Sequence, residues 1–503
     1  MSPLSWLILT PFLTAAFLLL IPGNFRFVIR CLALLGTLVT AGLGVRLFFQ
    51  FQPGGAEYQF EHLVPWVSTG GVRLGYHVAL DGISVGLVLV AALVGFAATA
   101  VSWDIDRHVK LFYVLLLMII GGAVGAFASL DLFFFYFFNE LALVPTFIMI
   151  GVWGSGEDRT EAAYRITLYL TLGALVALAG LIGLYVASGA NSLDVVELRQ
   201  QFARAPLSPA AQAWIFPCLL FGFGTLVGLW PFHSWAPSGY ASAPTATAML
   251  HAGILKKAGL LALLRVAWPF MPEGVARWMP VLAVLCLGNL LYCGWVAMRQ
   301  RDLNLLIGNS SLAHMGFAFL GLASANVIGI TGTVLVMVSH ALLAGLSFAV
   351  TGWLRRQTGT LDMDRLGGLL KAMPFVGSVL MIALLAGCGV PGFAGFAGEL
   401  TVMFGAWKAM PGYVVAAAWG GLVIGGVYML RAIRQVLHGE GREEWADVWD
   451  ASGLWRKLPY ALLVAGLVFF GVFPGVLSER IKPAAAAVAG QAARTTAPAP
   501  AHP

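Results

Sequence analysis

Four acids and bases stand inside stretches otherwise suited to lipid, and their types fit proton transfer. Glu140 follows the aromatic run Phe133-Phe134-Phe135-Tyr136-Phe137-Phe138-Asn139. Lys256 and Lys257 lie within His251-Ala252-Gly253-Ile254-Leu255-Lys256-Lys257-Ala258-Gly259, and Glu399 closes Val390-Pro391-Gly392-Phe393-Ala394-Gly395-Phe396-Ala397-Gly398. A charge at the centre of a membrane helix costs about 2.5–3.5 kcal/mol on insertion scales, so such residues face protein or water and mark ion paths. Desolvation opposes the charged form and a nearby opposite charge restores it; a group held between the two exchanges its proton on a small movement. Neighbouring helix positions diverge by about 100°, so Lys256 and Lys257 are not expected to share a partner. One is expected inside the protein, the other snorkelling to a headgroup or beside a second polar path. The bland alternative for Glu140 is a packing acid satisfied by Asn139 or by backbone.

His233, His251, His314 and His340 also fall in apolar segments. Imidazole titrates near neutrality and relays protons. Their spacing matches no zinc pattern, so a hydrogen-bonded relay or a core role is expected and no metal site. Cys31, Cys218, Cys286, Cys293 and Cys388 lack paired spacing and read as small core residues.

Only 10% of the 503 residues are charged and 59% are hydrophobic, which excludes a soluble domain. Apolar runs of spanning length recur along the whole chain, from residues 4–21 and 31–49 to 413–430 and 458–476. With spans at 78–101, 213–235 and 375–407 among them, they predict an all-α polytopic membrane protein of about fourteen transmembrane helices. Residues 1–21 lack a basic start and a small-residue cleavage site, so they are taken as the first span. The membrane domain covers 1–482, and the Ala/Pro-rich stretch 483–503 is expected to be a disordered tail. Basic residues set the orientation. Loops holding Arg26, Arg30, Arg107, Lys110, Arg355 and Arg356 are assigned inside. The poorer set with Arg46, Arg73, Arg265 and Arg480 is assigned outside, which places both termini on the outer face. The net charge of +6 then reflects loop topology.

Two spans carry helix breakers, Leu229-Trp230-Pro231-Phe232-His233-Ser234-Trp235-Ala236-Pro237 and Gly387-Cys388-Gly389-Val390-Pro391-Gly392. Unsatisfied backbone is tolerated at membrane depth only where protein or water covers it. A matched pair of interrupted spans points to an internally repeated transporter with its ion path at the breaks.

Taken together, these stretches resemble the antiporter-like membrane subunits of proton-pumping NADH–quinone oxidoreductase, of the subunit M type, a family shared with multi-subunit cation/proton antiporters. The matching runs are Tyr76-His77-Val78-Ala79-Leu80-Asp81-Gly82-Ile83-Ser84, Asn139-Glu140-Leu141 through Trp153-Gly154, Pro231-Phe232-His233-Ser234-Trp235 and Ala243-Pro244-Thr245-Ala246 on to Gly259. Ser310-Ser311-Leu312-Ala313-His314-Met315-Gly316, Leu366-Gly367-Gly368-Leu369 and Pro391-Gly392 through Glu399 complete the set, spanning about residues 75–435 in order. The resemblance implies two inverted five-helix repeats, about 110–270 and 275–435, each with a broken helix. It also implies a proton path in which Glu140 is the acid of a glutamate–lysine pair, Lys257 the central lysine and Glu399 the exit acid. Lys256, His233, His314 and His340 accompany them.

One part of that pattern is missing. The paired lysine falls at Leu226, and Asn304, Asn309 and Ser238 also depart from the family wording. Lys256 is the alternative cation for Glu140. The implied function is that of a proton-translocating membrane-arm subunit in a complex I-like enzyme of a bacterial inner membrane. This chain would hold no cofactor, with flavin, iron–sulfur clusters and quinone on partner subunits, and no nucleic acid is involved. The rivals are a subunit of a cation/proton antiporter working without redox partners, and a non-pumping spacer, to which Leu226 points.

Overall fold

The computed structural model describes residues 1–440, 443–445 and 447–494. In chain order the elements are α1 (Pro3–Leu20), α2 (Arg26–Gln50), β1 (Gln59–Thr69), β2 (Val72–Leu80), α3 (Ser84–Val101), α4 (Val109–Ala128), α5 (Leu132–Trp153), α6 (Arg159–Ser188), α7 (Val195–Arg204), α8 (Pro209–Val227) and α9 (Trp235–Ser242). They continue as α10 (Thr245–Phe270), α11 (Pro272–Arg299), α12 (Leu303–Ala323), α13 (Val327–Thr358), α14 (Pro374–Gly387), α15 (Ala394–Ala409), α16 (Pro411–Leu437), α17 (Leu454–Val472) and α18 (Gly475–Arg494).

Thirteen of these are long and apolar enough to cross a bilayer, and α14 with α15 makes a fourteenth crossing in two halves. The spans run one for one with the fourteen expected from the sequence. Helices α4, α5, α6, α8–α9 and α10 form one run of five crossings, and α11, α12, α13, α14–α15 and α16 the next. Five is odd, so the second run starts from the opposite side and is inverted. In each run the fourth crossing is broken at a glycine in the left-handed region, Gly228 (φ +91°) and Gly389 (φ +71°).

Burial follows a span's place in the bundle and not its apolarity. Helices α10 and α12 have mean hydropathies of only 1.3 and 1.4, yet 100% and 94% of their windows are buried. Helix α2, at 2.0, is only 33% buried. Lipid demands no polar partners on the outside, so the polar spans are the ones that the protein itself must enclose.

Each broken backbone is capped from within. Gly228 N–H donates to Gly224 and Thr225 carbonyls and Leu229 N–H to the Gly224 carbonyl, a left-handed helix ending. Asn289 of α11 then bridges the gap: its amide donates to the Gly228 carbonyl at 2.8 Å and its oxygen accepts from Trp230 N–H at 2.8 Å. The Trp230–Pro231 peptide is cis. At the second break, Cys388 N–H donates to the Leu384 carbonyl and Gly389 N–H to that of Ala386.

Three expectations are corrected. The span expected to start at Val78 begins at Ser84; the residues before it pair as the β1–β2 hairpin, turned at Gly70 and Gly71, both with positive φ. Alternating polar residues kept that hairpin out of the hydropathy signal. The stretch from Pro483, expected to be disordered, is helical in α18 as far as Arg494, while 495–503 lie outside the described residues. Its alanines favour helix once the preceding turns have nucleated it. Arg265, assigned to an outer loop, is instead buried on α10. It donates to Asp81 at 2.8 Å and to the Phe127 and Ser129 carbonyls, tying α10 to the start of α3 and the end of α4.

The hairpin is clamped at its membrane end by His77, whose Nδ1 meets Asp194 and whose Nε2 meets Glu61 at 2.8 Å. Asp194 caps α7 and Asp131 caps α5 through their backbone amides.

Two outcomes follow from these contacts. Arg265→Met leaves Asp81 buried without its cation and is expected to cost about 3–5 kcal/mol. Thermal unfolding in detergent reads the loss, which the Asp81→Asn/Arg265→Met double variant recovers in part. Burial alone would push His77 down, but its hydrogen bond and charge contact with Asp194, seconded by Glu61, hold its pKa above the ordinary value. The clamp is therefore fully present below about pH 6.5 and is lost as pH rises through the raised value. Intrinsic-rate-corrected amide exchange over residues 59–80 should speed up across that rise in the wild type. It should show no such step in His77→Gln; a step of equal size in both would rule the clamp out.

Candidate functional site

The core of the protein carries a line of polar side chains running from α10 to the second break. It starts where α10 leaves α-helical geometry: His251–Leu255 is a π-helical turn, and Lys256 and Lys257 follow directly. A π-turn displaces the side chains that follow it and frees carbonyls, a distortion common at functional sites. Here the Ala252 carbonyl accepts from Lys257 Nζ at 2.7 Å. Both lysines are buried, at 1% and 0% exposure, so neither snorkels to a headgroup as allowed for one of them. They do diverge as the helix angle requires.

Lys257 donates to His340 Nδ1 of α13 at 2.9 Å. The His340 ring lies 5.7 Å from that of His314 on α12, centroid to centroid. His314 Nε2 is 3.5 Å from Glu399 Oε1 on α15, just beyond the second break. Lys257, His340, His314 and Glu399 thus form one line across four helices. Lys256 makes a branch: it donates to the hydroxyl of Ser311 and, at 3.4 Å, to its carbonyl.

The hydrogen bonds fix how protons are held on this line. The Ser310 carbonyl lies 2.8 Å from His314 Nδ1, so that nitrogen carries a hydrogen and donates it. Neutral His314 then presents a lone pair at Nε2 toward a carboxyl oxygen of Glu399. The contact is favourable only if a proton stands between them, on the acid or on the ring. At the other end His340 Nδ1 accepts from Lys257, so in the neutral ring Nε2 bears the hydrogen. Each junction accommodates one mobile proton.

A second cluster of polar and aromatic side chains flanks Lys256. Its ammonium lies 5.7 Å from the centre of the Tyr240 ring, which packs on His251, while Trp235 of the same short helix α9 stacks edge-on against both. The Tyr240 hydroxyl and both ring nitrogens of His251 are buried and find no protein partner. Helix α9 also lines, through Ser238 and Ser242, a cavity of about 610 Å³ that reaches Asp302, at the start of α12, and Arg355 on α13. Arg355 donates to the Ser155 hydroxyl and the Ala241 carbonyl, holding the end of α9.

Two of the expected residues are not brought to this line. His233 contacts the Pro231 carbonyl and the edge of Tyr292, both beside the first break. Glu140 is half-buried on the outer stripe of α5, where the Asn139 side chain hydrogen-bonds its carboxyl, as the bland alternative expected, while Oε1 itself has no partner. Lys256 is not its cation, being engaged by Ser311, and Leu226 is packed in the core at 3% exposure. Sequence reading missed Asn289, Ser311 as the lysine partner, and Tyr428, whose hydroxyl donates to Ser310 at 3.0 Å. Tyr428 within an apolar run was a usable signal; Asn289 gave none beyond being polar in a span.

Comparison with known proteins places these observations. The family model described as "NADH:quinone oxidoreductase/Mrp antiporter, TM" matches residues 129–425, which include both breaks, both lysines and Glu399. NADH-quinone oxidoreductase subunit M of Pseudomonas aeruginosa is 32% identical over 489 residues, covering 94% of each chain. F(420)H(2) dehydrogenase subunit M of Methanosarcina mazei is 33% identical, covering 88% of this chain and 89% of that one. A chain of respiratory complex I from Thermus thermophilus with bound NADH superposes with a TM-score of 0.88 at 30% identity, covering 97% of this chain and 99% of that one. A chain of the membrane-bound sulfane sulfur reductase, an archaeal respiratory membrane complex, shares the fold at a TM-score of 0.83 and 23% identity, covering 95% and 77%.

The second break tests how closely the acid is positioned. Gly389 has φ +71°, and a Cβ there would stand 2.9 Å from Glu399 Oε2. Gly389→Ala is expected to cost about 1–2 kcal/mol in backbone strain and to turn the carboxyl off His314. Proton transport by the purified protein in vesicles should fall more than the melting temperature does; an unchanged transport rate would separate Glu399 placement from function.

Proposed function

This chain belongs to the NADH:quinone oxidoreductase/Mrp antiporter family of membrane subunits, and from that premise we propose how it works. It is a proton-translocating membrane-arm subunit of a complex I-like oxidoreductase. Electron transfer takes place on other subunits, and this chain supplies helices and titratable groups with no redox centre of its own. The complex lies in a bacterial inner membrane. Fourteen crossings put both termini on one side, and the basic loops make that side the outer one.

The observation that carries the mechanism is the Lys257–His340–His314–Glu399 line, buried throughout, with one gap between the two imidazoles, and ending at a broken helix. Water enters through the cavity beside α9 and reaches the unpartnered Tyr240 hydroxyl and His251 nitrogens, which need such partners when buried. Lys256, touching that cluster and Ser311, loads from it. Lys257 passes a proton to His340 Nδ1 and takes one in turn from Lys256, and His340 releases its Nε2 hydrogen toward His314 across a gap that one water bridges. His314 and Glu399 share the proton until the unwound backbone around Gly389 admits water to take it. Moving one charge against 100 mV costs about 2.3 kcal/mol, which redox energy elsewhere in the complex covers. A spacer would not need a buried lysine and a buried acid in one line with a second buried lysine branching from it, since each costs several kcal/mol to insert.

The test is the intact complex in sealed vesicles, with quinone reduction and proton uptake measured together. Lys257→Met and Glu399→Gln should each lower the protons moved per electron, and their double variant should lose no more than the worse single. Lys256→Met should lose less. Full pumping in Lys257→Met would overturn the path.

A further inference from the structure

Far from the proton line, a notch opens at one membrane end of the bundle, between the end of α3, the last turns of α13 and the first turns of α17. Trp103, Asp104, Trp353, Arg356, Trp455 and Tyr460 line it, with Arg456 at its rim. It is small, about 30 Å³, which admits one or two waters or phosphate oxygens and no peptide segment. Its charge is unbalanced. Arg356 is paired with Asp104, but Arg456 has no acid partner among the described residues. Both guanidinium groups stand 5.7 Å from the centre of the Trp353 ring, so two cations share one ring and one carboxylate. Tyr460 is 2% exposed, and its hydroxyl makes no hydrogen bond among the described residues; it is not among the sealed atoms, so it opens on the notch. The helix that begins here adds to the imbalance. Helix α17 has no side-chain cap and no acid in its first turn, which instead holds Arg456 and Lys457. Cations there oppose the helix dipole, and an anion relieves both.

The surroundings say which anion. Helix α3 is 89% buried, whereas α2 and α17 beside it are only 33% and 28% buried, so the notch heads an apolar face. Phe27 of α2 packs edge-on against Trp103, and Trp103 edge-on against Trp455; Phe27, Trp455 and Leu458 are all exposed. Tryptophans at helix ends sit at headgroup depth, and basic pockets between helices at that depth take anionic headgroups. A zwitterionic headgroup brings its own cation to a place that already has a surplus. We propose that this notch binds the phosphate of an anionic phospholipid, held by Arg456, Arg356 and the Tyr460 hydroxyl, with the acyl chains lying against Phe27, Trp455 and Leu458. A lipid so held ties the ends of α3 and α17 to α13, the helix that carries His340. The site depends only on the chain's crossing the membrane and not on the proton path.

The experiment strips lipid from the intact complex in a neutral detergent. It then adds phosphatidylglycerol bearing a photoreactive diazirine on its acyl chain near the glycerol, or the matching phosphatidylcholine, and maps the labelled peptides after irradiation. Peptides holding Trp103 or Trp455 should be labelled, and more by phosphatidylglycerol than by phosphatidylcholine. Arg456→Gln and Tyr460→Phe should each lower that labelling by roughly tenfold below saturation, the loss of one charge-assisted hydrogen bond. Labelling elsewhere in the complex stays constant and serves as the standard. Added phosphatidylglycerol should also raise the melting temperature of the wild type by mass action, and that of Arg456→Gln by less. Equal labelling by the two lipids, undiminished labelling in either variant, or an absence of label at the notch because another subunit covers it overturns the proposal. So does inorganic phosphate that competes as well as unlabelled phosphatidylglycerol, since the site would then be one for a free anion.

Discussion

Within hydrocarbon no water is at hand to satisfy a polar group, and that constraint organises every level of this protein. Fourteen crossings could have been uniformly apolar. Instead α10 and α12, which carry the buried lysines and His314, are wrapped by the others, and the first broken crossing is capped by another helix. Asn289 illustrates the rule: one side chain meets two backbone groups that the break at Gly228 leaves without helical partners. Arg265 does the same at the other end of α10, meeting two helix-end carbonyls and Asp81 at once. Each is a polar residue whose burial is compensated by several contacts, which keeps its cost low enough to retain.

The same economy explains why the proton line can be both buried and labile. Lysine, two imidazoles and a carboxyl are spaced so that each stands next to another group that can take or give a proton. His314 is oriented by the Ser310 carbonyl through one nitrogen and left free to exchange through the other. The π-turn before Lys256 works alongside this by aiming two adjacent lysines at different partners, Ser311 and His340. Rigid placement by backbone and loose holding of the proton are thus assigned to different atoms.

Glu140 shows the limit of reading one chain by its family pattern. The resemblance pairs this acid with a lysine at a position that is Leu226 here, and among the described residues it is the Asn139 side chain that hydrogen-bonds the carboxyl. The acid nevertheless remains, half-buried and held by its neighbour Asn139.

The sequence by itself determined the membrane class, the fourteen crossings and both breaks, because hydropathy and helix-breaking residues act locally and leave their mark in consecutive letters. It also picked out Lys256, Lys257, Glu399, His314 and His340, since an ionisable group in an apolar run is conspicuous wherever it points. What it could not determine was direction. Whether a lysine faces core or lipid, whether His233 joins the line, and whether Arg265 belongs to a loop or a core depend on how helices far apart in sequence are rotated against one another. The β-hairpin was likewise hidden, because its register is set by pairing across a two-glycine turn and by His77 reaching Asp194, a contact spanning more than a hundred residues. Tertiary packing alone decided which buried charges meet, because a hydrogen bond depends on side-chain geometry to within a few tenths of an ångström and a sequence specifies only that the atoms exist.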